Sequence, residues 1–246
     1  MTRRWLEEAV AACGLSPPLS FPRNLAAEVG RALPVSLVYL PGLTCGRVRN
    51  WLARKGVKHH VSDDDRPLHG CLVARAGKGF LFIDEGDDTN EQRFTLAHEV
   101  SHFVLDHLLL RARARRTLGR DFLPVLEGQR DPTPHETLVS VFHRVSVGVQ
   151  VRLMERNASG DPCSGKAMEA EFHADRLAFE LLAPVEEALP LVRRFSRREA
   201  EAELASRFGL PLKESRSYVR WLLAQEPARR PFFLKFAPME EQRSYG

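Results

Sequence analysis

RFTLAHEVSHFVLDH, residues 93–107, carries two histidines four positions apart, His98 and His102, with Glu99 directly after the first. On an α-helix, residues four apart share a face, one above the other. Two imidazoles so placed can reach one metal ion. Glu99 is rotated by about 100° from His98 and can lean over that ion without binding it. A hydrolytic zinc site needs this: ligands that leave one position open for water, and a carboxylate beside it to take the proton. The composition is that of a helix. Glu91 and Gln92 suit a first turn, and no Gly or Pro occurs from Glu91 to Leu110, while Phe94, Ala97, Val100 and Val104 give surface for burial. A core helix with two hydrogen-bonded histidines would look the same, so the five-residue pattern needs a third ligand elsewhere.

The rest of the composition narrows the setting. With 246 residues, 43% of them hydrophobic, the chain can bury one good core with a small appendage. No apolar run approaches a membrane span. The opening MTRRWLEEAVAACGL turns acidic after its arginines and lacks the apolar centre of a secretion signal, so a cytoplasmic protein is expected. Cys13, Cys45, Cys71 and Cys163 form no Cys-x-x-Cys pair. They suit free thiols in a reducing compartment and argue against cysteine-held zinc. A net charge of +4 is too modest to argue for nucleic acid, although Arg111, Arg113, Arg115 and Arg116 cluster in RARARR.

Periodicity and punctuation predict helices over 3–13, 22–32 (opened by Pro22) and 46–54, and strands over 35–40, 70–75 and 79–84. AGKG (76–79) suits a tight hairpin. GFLFID (79–84), just before the histidine helix, is expected to be the sheet edge on which an extended substrate adds as a strand. Beyond His107, residues 111–136 mix charges, Gly and Pro and are expected to be irregular. Residues 138–152 alternate valine with polar residues, which predicts a strand bent at Gly148. A loop over 156–166 precedes helices at 167–182, 185–194, 197–208 and 216–225, and a Pro- and Arg-rich arm follows Pro227.

The helix over 167–182 can supply the third ligand. Glu171, Ala174, Asp175 and Ala178 fall on one face, and the two alanines allow close approach to the histidine helix. Glu171 can then reach the metal, and Asp175 can accept a hydrogen bond from the outer N–H of a zinc histidine. His107 and Asp106 are poorly placed as ligands. His143, Arg176 and Tyr218 are candidates for an extra electrophile over a developing oxyanion.

RFTLAHEVSHFVLDH followed by EFHADRLAFELLAP resembles the ImmA/IrrE family of cytoplasmic metallopeptidases. Members pair an RFTLAHELGH-like helix with an E-x-x-A-N/D-x-x-A…LL-x-P helix. The resemblance implies an α+β, zincin-like fold: a small, mostly antiparallel sheet packed on the HExxH helix, then a helical C-terminal region. It implies Zn²⁺ held by His98, His102 and Glu171, with Asp175 behind a histidine and Glu99 as the general base. The implied activity is endopeptidase cleavage of a cytoplasmic protein, such as a transcriptional repressor or stress regulator. Ser101 replaces the family's usual Gly, and Leu177 its usual Phe. The expected organisation is a metallopeptidase domain over 1–190 with an insertion at about 108–165, then a helical region and tail over 191–246. About 34 residues before the first strand are too few for the N-terminal DNA-binding domain that many relatives carry. The alternative is a DNA- or protein-binding module without proteolysis. Residues 203–222 have helix-turn-helix spacing, with Lys213, Arg216 and Arg220 on the second helix, although packing on the catalytic domain is favoured over nucleic acid. No membrane partner is expected, and the oligomeric state has no signature in the sequence.

Overall fold

The structure is a computed structural model that describes residues 4–57, 59–142, 149–155 and 165–225. In chain order the elements are α1 (Arg4–Cys13), α2 (Leu25–Ala32), β1 (Val35–Leu40), α3 (Cys45–Arg54), β2 (Leu68–Arg75), β3 (Lys78–Asp84) and α4 (Thr89–His102). A π-helical segment (Phe103–Leu108) leads into α5 (Leu109–Thr117), a 3₁₀ turn (Arg120–Phe122), α6 (Leu123–Leu126), α7 (Pro134–Phe142) and β4 (Gln150–Glu155). The chain ends in α8 (Gly165–Leu182), α9 (Val185–Arg194), α10 (Arg197–Phe208) and α11 (Leu212–Gln225). Among the described residues, no helix is long and apolar enough to cross a membrane.

The fold is α+β, with a four-stranded mixed sheet in the order β1-β3-β2-β4. β2 pairs antiparallel with both β3 and β4, and β1 runs parallel to β3. Period-two alternation sends each strand's side chains to two different cores. Leu72, Ala74, Leu81 and Ile83 face α4 and α8. Cys71, Val73 and Phe82 face α3, where they meet Val48 and Leu52. α4 therefore lies between the sheet and α8, and Phe94 through His102 are all buried.

Local chemistry fixes where α4 begins. Asp84, at the end of β3, accepts hydrogen bonds from the N–H groups of Gly42, Leu43 and Gly86. Four residues on, the Asp88 side chain caps the helix by accepting from Asn90 and Glu91 N–H, satisfying donors that the first turn leaves free. The two helices after α9 join the main core through Leu204, Phe208, Val219 and Leu222. Gly209 caps α10 in the left-handed conformation, φ 63°, and Arg93 donates to its carbonyl at 3.0 Å, tying this turn to α4.

Several expectations need correction. β3 is an interior strand, paired on both sides; β1 and β4 are the edges. The reason is the parallel β1, which adds beside β3. Residues 111–136 are largely helical rather than irregular: Arg111 is buried and donates to the Leu126 carbonyl and to Glu127, so the arginine cluster starts as a helix. The strand expected over 138–152 is a helix up to Phe142 and a strand from Gln150, with 143–148 outside the described residues. Alternating valines fit a helix here because Leu138 and Val141 are exposed rather than packed on a sheet. α2 starts at Leu25, not at Pro22, because Asn24 takes the capping position. The 156–164 part of the expected loop, Cys163 and the arm from Pro227 lie outside the described residues.

Candidate metal centre

The sheet can approach α4 closely because β2 carries Gly70. A Cβ at that position would lie 2.5 Å from the Thr95 methyl carbon and 3.0 Å from a Glu99 carboxylate oxygen. On the opposite side, α8 packs Leu177 and Ala178 into the core next to α4 and brings Glu171 and Asp175 to the histidines.

The three groups expected as ligands meet. His98 Nε2 and His102 Nε2 are 3.1 Å apart. Glu171 Oε2 lies 3.2 Å from the first and 3.3 Å from the second. Each imidazole is held from behind by a carboxylate: His98 Nδ1 meets Asp175 Oδ1 at 3.0 Å, and His102 Nδ1 meets Asp106 Oδ2 at 2.8 Å. A carboxylate can only accept here, so both Nδ1 atoms carry the proton. In the neutral rings that leaves two Nε2 lone pairs and one carboxylate oxygen facing one another, an arrangement that only a proton or a cation between them relieves. Such a donor set calls for a cation, and the three residues form a group that could hold a metal ion.

The electrostatics agree. Burial alone would make His98 harder to protonate. Hydrogen bonds to Asp175 and Glu171 reverse the sign and raise it to about 10. The same balance raises His102, with Asp106 as its main partner. Burial would raise Glu171, yet its contacts with the two histidines hold it well below the usual carboxylate range. The cluster thus stabilises added positive charge. Glu99 behaves differently. It is 1% exposed, and burial pushes it up to about 7 against the pull of the two histidines. Its Oε2 is buried without a hydrogen-bond partner, so a carboxylate stands beside the cluster with one oxygen uncommitted.

The structure also reveals a group that sequence reasoning passed over. Asp106, poorly placed as a ligand, holds His102 from behind, and its i, i+4 spacing from His102 is the sequence signal for that role. Arg152 on β4 pairs with the same Asp106 oxygen at 3.2 Å, and nothing in the sequence marks it. Two of the candidate electrophiles are engaged elsewhere. The Tyr218 hydroxyl is buried and donates to the Ala183 carbonyl at 2.8 Å. The Arg176 guanidinium is 4.5 Å from the centre of the Trp221 ring and 4.7 Å from that of Phe179. His143 lies outside the described residues.

The α+β fold thus carries a group of residues that could hold a metal ion. Residues 52–130 match the family model Peptidase_M78, the IrrE N-terminal-like domain, which is the ImmA/IrrE family that the two motifs resemble. The matched stretch contains His98, Glu99 and His102 and stops short of Glu171. No curated protein and no solved structure matches the chain.

Proposed function

We propose that this protein is a zinc-dependent endopeptidase that hydrolyses a peptide bond in a protein substrate, on a zincin-like active helix. The observation that carries the proposal is the convergence of His98 Nε2, His102 Nε2 and Glu171 Oε2 at 3.1–3.3 Å. Ligands about 2.0–2.1 Å from a tetrahedral zinc ion stand ~3.3–3.4 Å apart, so the residues fit that metal. Bound zinc supplies Lewis acidity toward the substrate carbonyl and acidifies water at the open position. Asp175 and Asp106 keep the two rings in the tautomer that points a lone pair inward. Glu99 takes the proton of the attacking water and returns it to the leaving amine. Its burial and its uncommitted oxygen support that role.

The free buried thiols of Cys13, Cys45 and Cys71 support a reducing, cytoplasmic setting. Within it, the family resemblance supports a transcriptional repressor or stress regulator as substrate. The sheet edge that can receive an extended peptide beside α4 is β4, in place of the interior β3.

Plasma mass spectrometry of the purified protein tests the metal first. About one zinc per chain is expected, retained in Glu99→Gln and reduced in Glu171→Ala. Glu99→Gln should lose about 10²–10⁴-fold in cleavage while still capturing its substrate. A wild-type protein that takes up no zinc on titration would sink the proposal and bring forward a binding module without proteolysis.

A further inference from the structure

Strand β4 reaches the metal centre from within the expected insertion. Its alternation places Val151 and Leu153 against the α3 core and turns Gln150, Arg152 and Met154 toward α4. Gln150 holds the main chain of the π-helical segment, donating from Nε2 to the Asp106 carbonyl at 3.3 Å and meeting His107 through Oε1. Arg152, two residues on, takes the side chain of the same residue. A single oxygen, Asp106 Oδ2, thus meets His102 Nδ1 at 2.8 Å and forms an ion pair with Arg152 Nη2 at 3.2 Å.

The two histidines are not held alike. Asp175, behind His98, has an arginine next to it in sequence, but the Arg176 guanidinium lies among Phe172, Phe179, Tyr218 and Trp221. Among the described residues only the carboxylate behind His102 is fixed by a cation from another element. Asp106 has side-chain exposure of 23%, so water competes for it. A second partner of opposite charge restricts the rotamers of the carboxylate by ion pairing.

We propose that Arg152 is a positioning residue of the metal centre: by pairing with Asp106 it fixes the carboxylate that orients the His102 ring toward the metal. The proposal rests on the metallopeptidase reading above. It makes β4 part of the catalytic unit, although the strand lies within the expected insertion and outside the stretch matched by the family model.

The direction of one effect separates positioning from plain charge. Arg152 is a cation near a site for a cation. If only its charge mattered, removing it would tighten metal binding. If it acts by holding Asp106, removing it loosens binding. Zinc affinity, measured by competition with a chromophoric chelator, should fall about tenfold in Arg152→Met, within the range for partners that orient ligands. Arg152→Lys should recover most of the loss, because an ammonium can pair with the same carboxylate. Asp106→Asn combined with Arg152→Met should bind no more weakly than Asp106→Asn alone, because both act through one contact. Unchanged circular dichroism and thermal midpoint in each variant confine the effect to the site. Equal or tighter zinc binding in Arg152→Met overturns the role of Arg152 and leaves the metallopeptidase reading standing, as do additive losses in the double variant. A wild-type protein that binds no zinc overturns that reading and this proposal with it.

Discussion

The layer formed by α4 and α8 and the stretch that separates them in sequence hold their shapes by different means. Between the two helices the packing is apolar: Phe94, Val100, Leu177, Ala178 and Phe179 are buried in one core with the sheet. The intervening stretch has a small core of its own, Ala114, Phe122, Val125 and Leu126. Phe103, Val104, Val151 and Leu153 pack it on the two main cores, and polar ties add to them. Arg113 pairs with Glu8 at 3.1 Å, and His107 joins Gly77 of the β2–β3 turn to Gln150 of β4. Apolar packing fixes where two helices lie. Directional bonds fix which side chain faces the site, and they can be undone by a proton.

The largest expected effect strikes the apolar layer. Phe94→Ala should cost about 3–5 kcal/mol, read as a lowered urea midpoint, because Phe94 is buried against His98 and Phe179. A loss below about 1 kcal/mol would mean that this layer is not the dominant core.

His107 tests the polar tie. It is buried, and its proton affinity is lowered to about 4, by burial first and by Arg111 in addition, against the bond to Gln150. Nε2 accepts the Gly77 N–H and cannot do so once protonated. The folded protein thus disfavours a proton that the unfolded chain accepts near pH 6.5. Stability from this group is complete above about pH 6.5 and is lost as pH falls toward 4, about 3 kcal/mol in all. Urea unfolding across that range should show the loss, and His107→Gln should remove that part of the slope. An identical slope in the variant would contradict the account.

The smallest effect belongs to the satellite core. Leu126→Ala should cost about 2 kcal/mol, near the low end because four residues can close round the gap. Hydrogen exchange should place the loss in α5 and α6. Protection lost throughout α4 and α8 would show instead that the two regions unfold as one.

This contrast explains what could be read in advance. The helix from Thr89 and the helix carrying Glu171 announce themselves because ligands, small residues and caps recur at helical spacing, and Asp175 was legible for the same reason. Residues 111–136 read as loop because of their charges, Gly and Pro, whereas Arg111 is a buried tether, and residues 138–142 read as strand because of their alternation, whereas Leu138 and Val141 are exposed helix positions. Placing β3 at an edge failed because strand order depends on which distant strand arrives beside it. Arg152 could not be found, since no spacing links a residue on β4 to His102; only the sheet register, Leu72 opposite Arg152, brings them together.

That register also sets a timetable. A chain leaving the ribosome presents its β2–β3 hairpin and the two histidines early, through local contacts that form fast. Asp175 follows His98 by 77 residues, and Arg152 follows Asp106 on the far side of α5 to α7, so the loop-closure cost falls on the last steps. During synthesis the histidine helix exists without its third ligand. The hydrolytic centre proposed here therefore completes its ligand set only when the second half of the chain has folded.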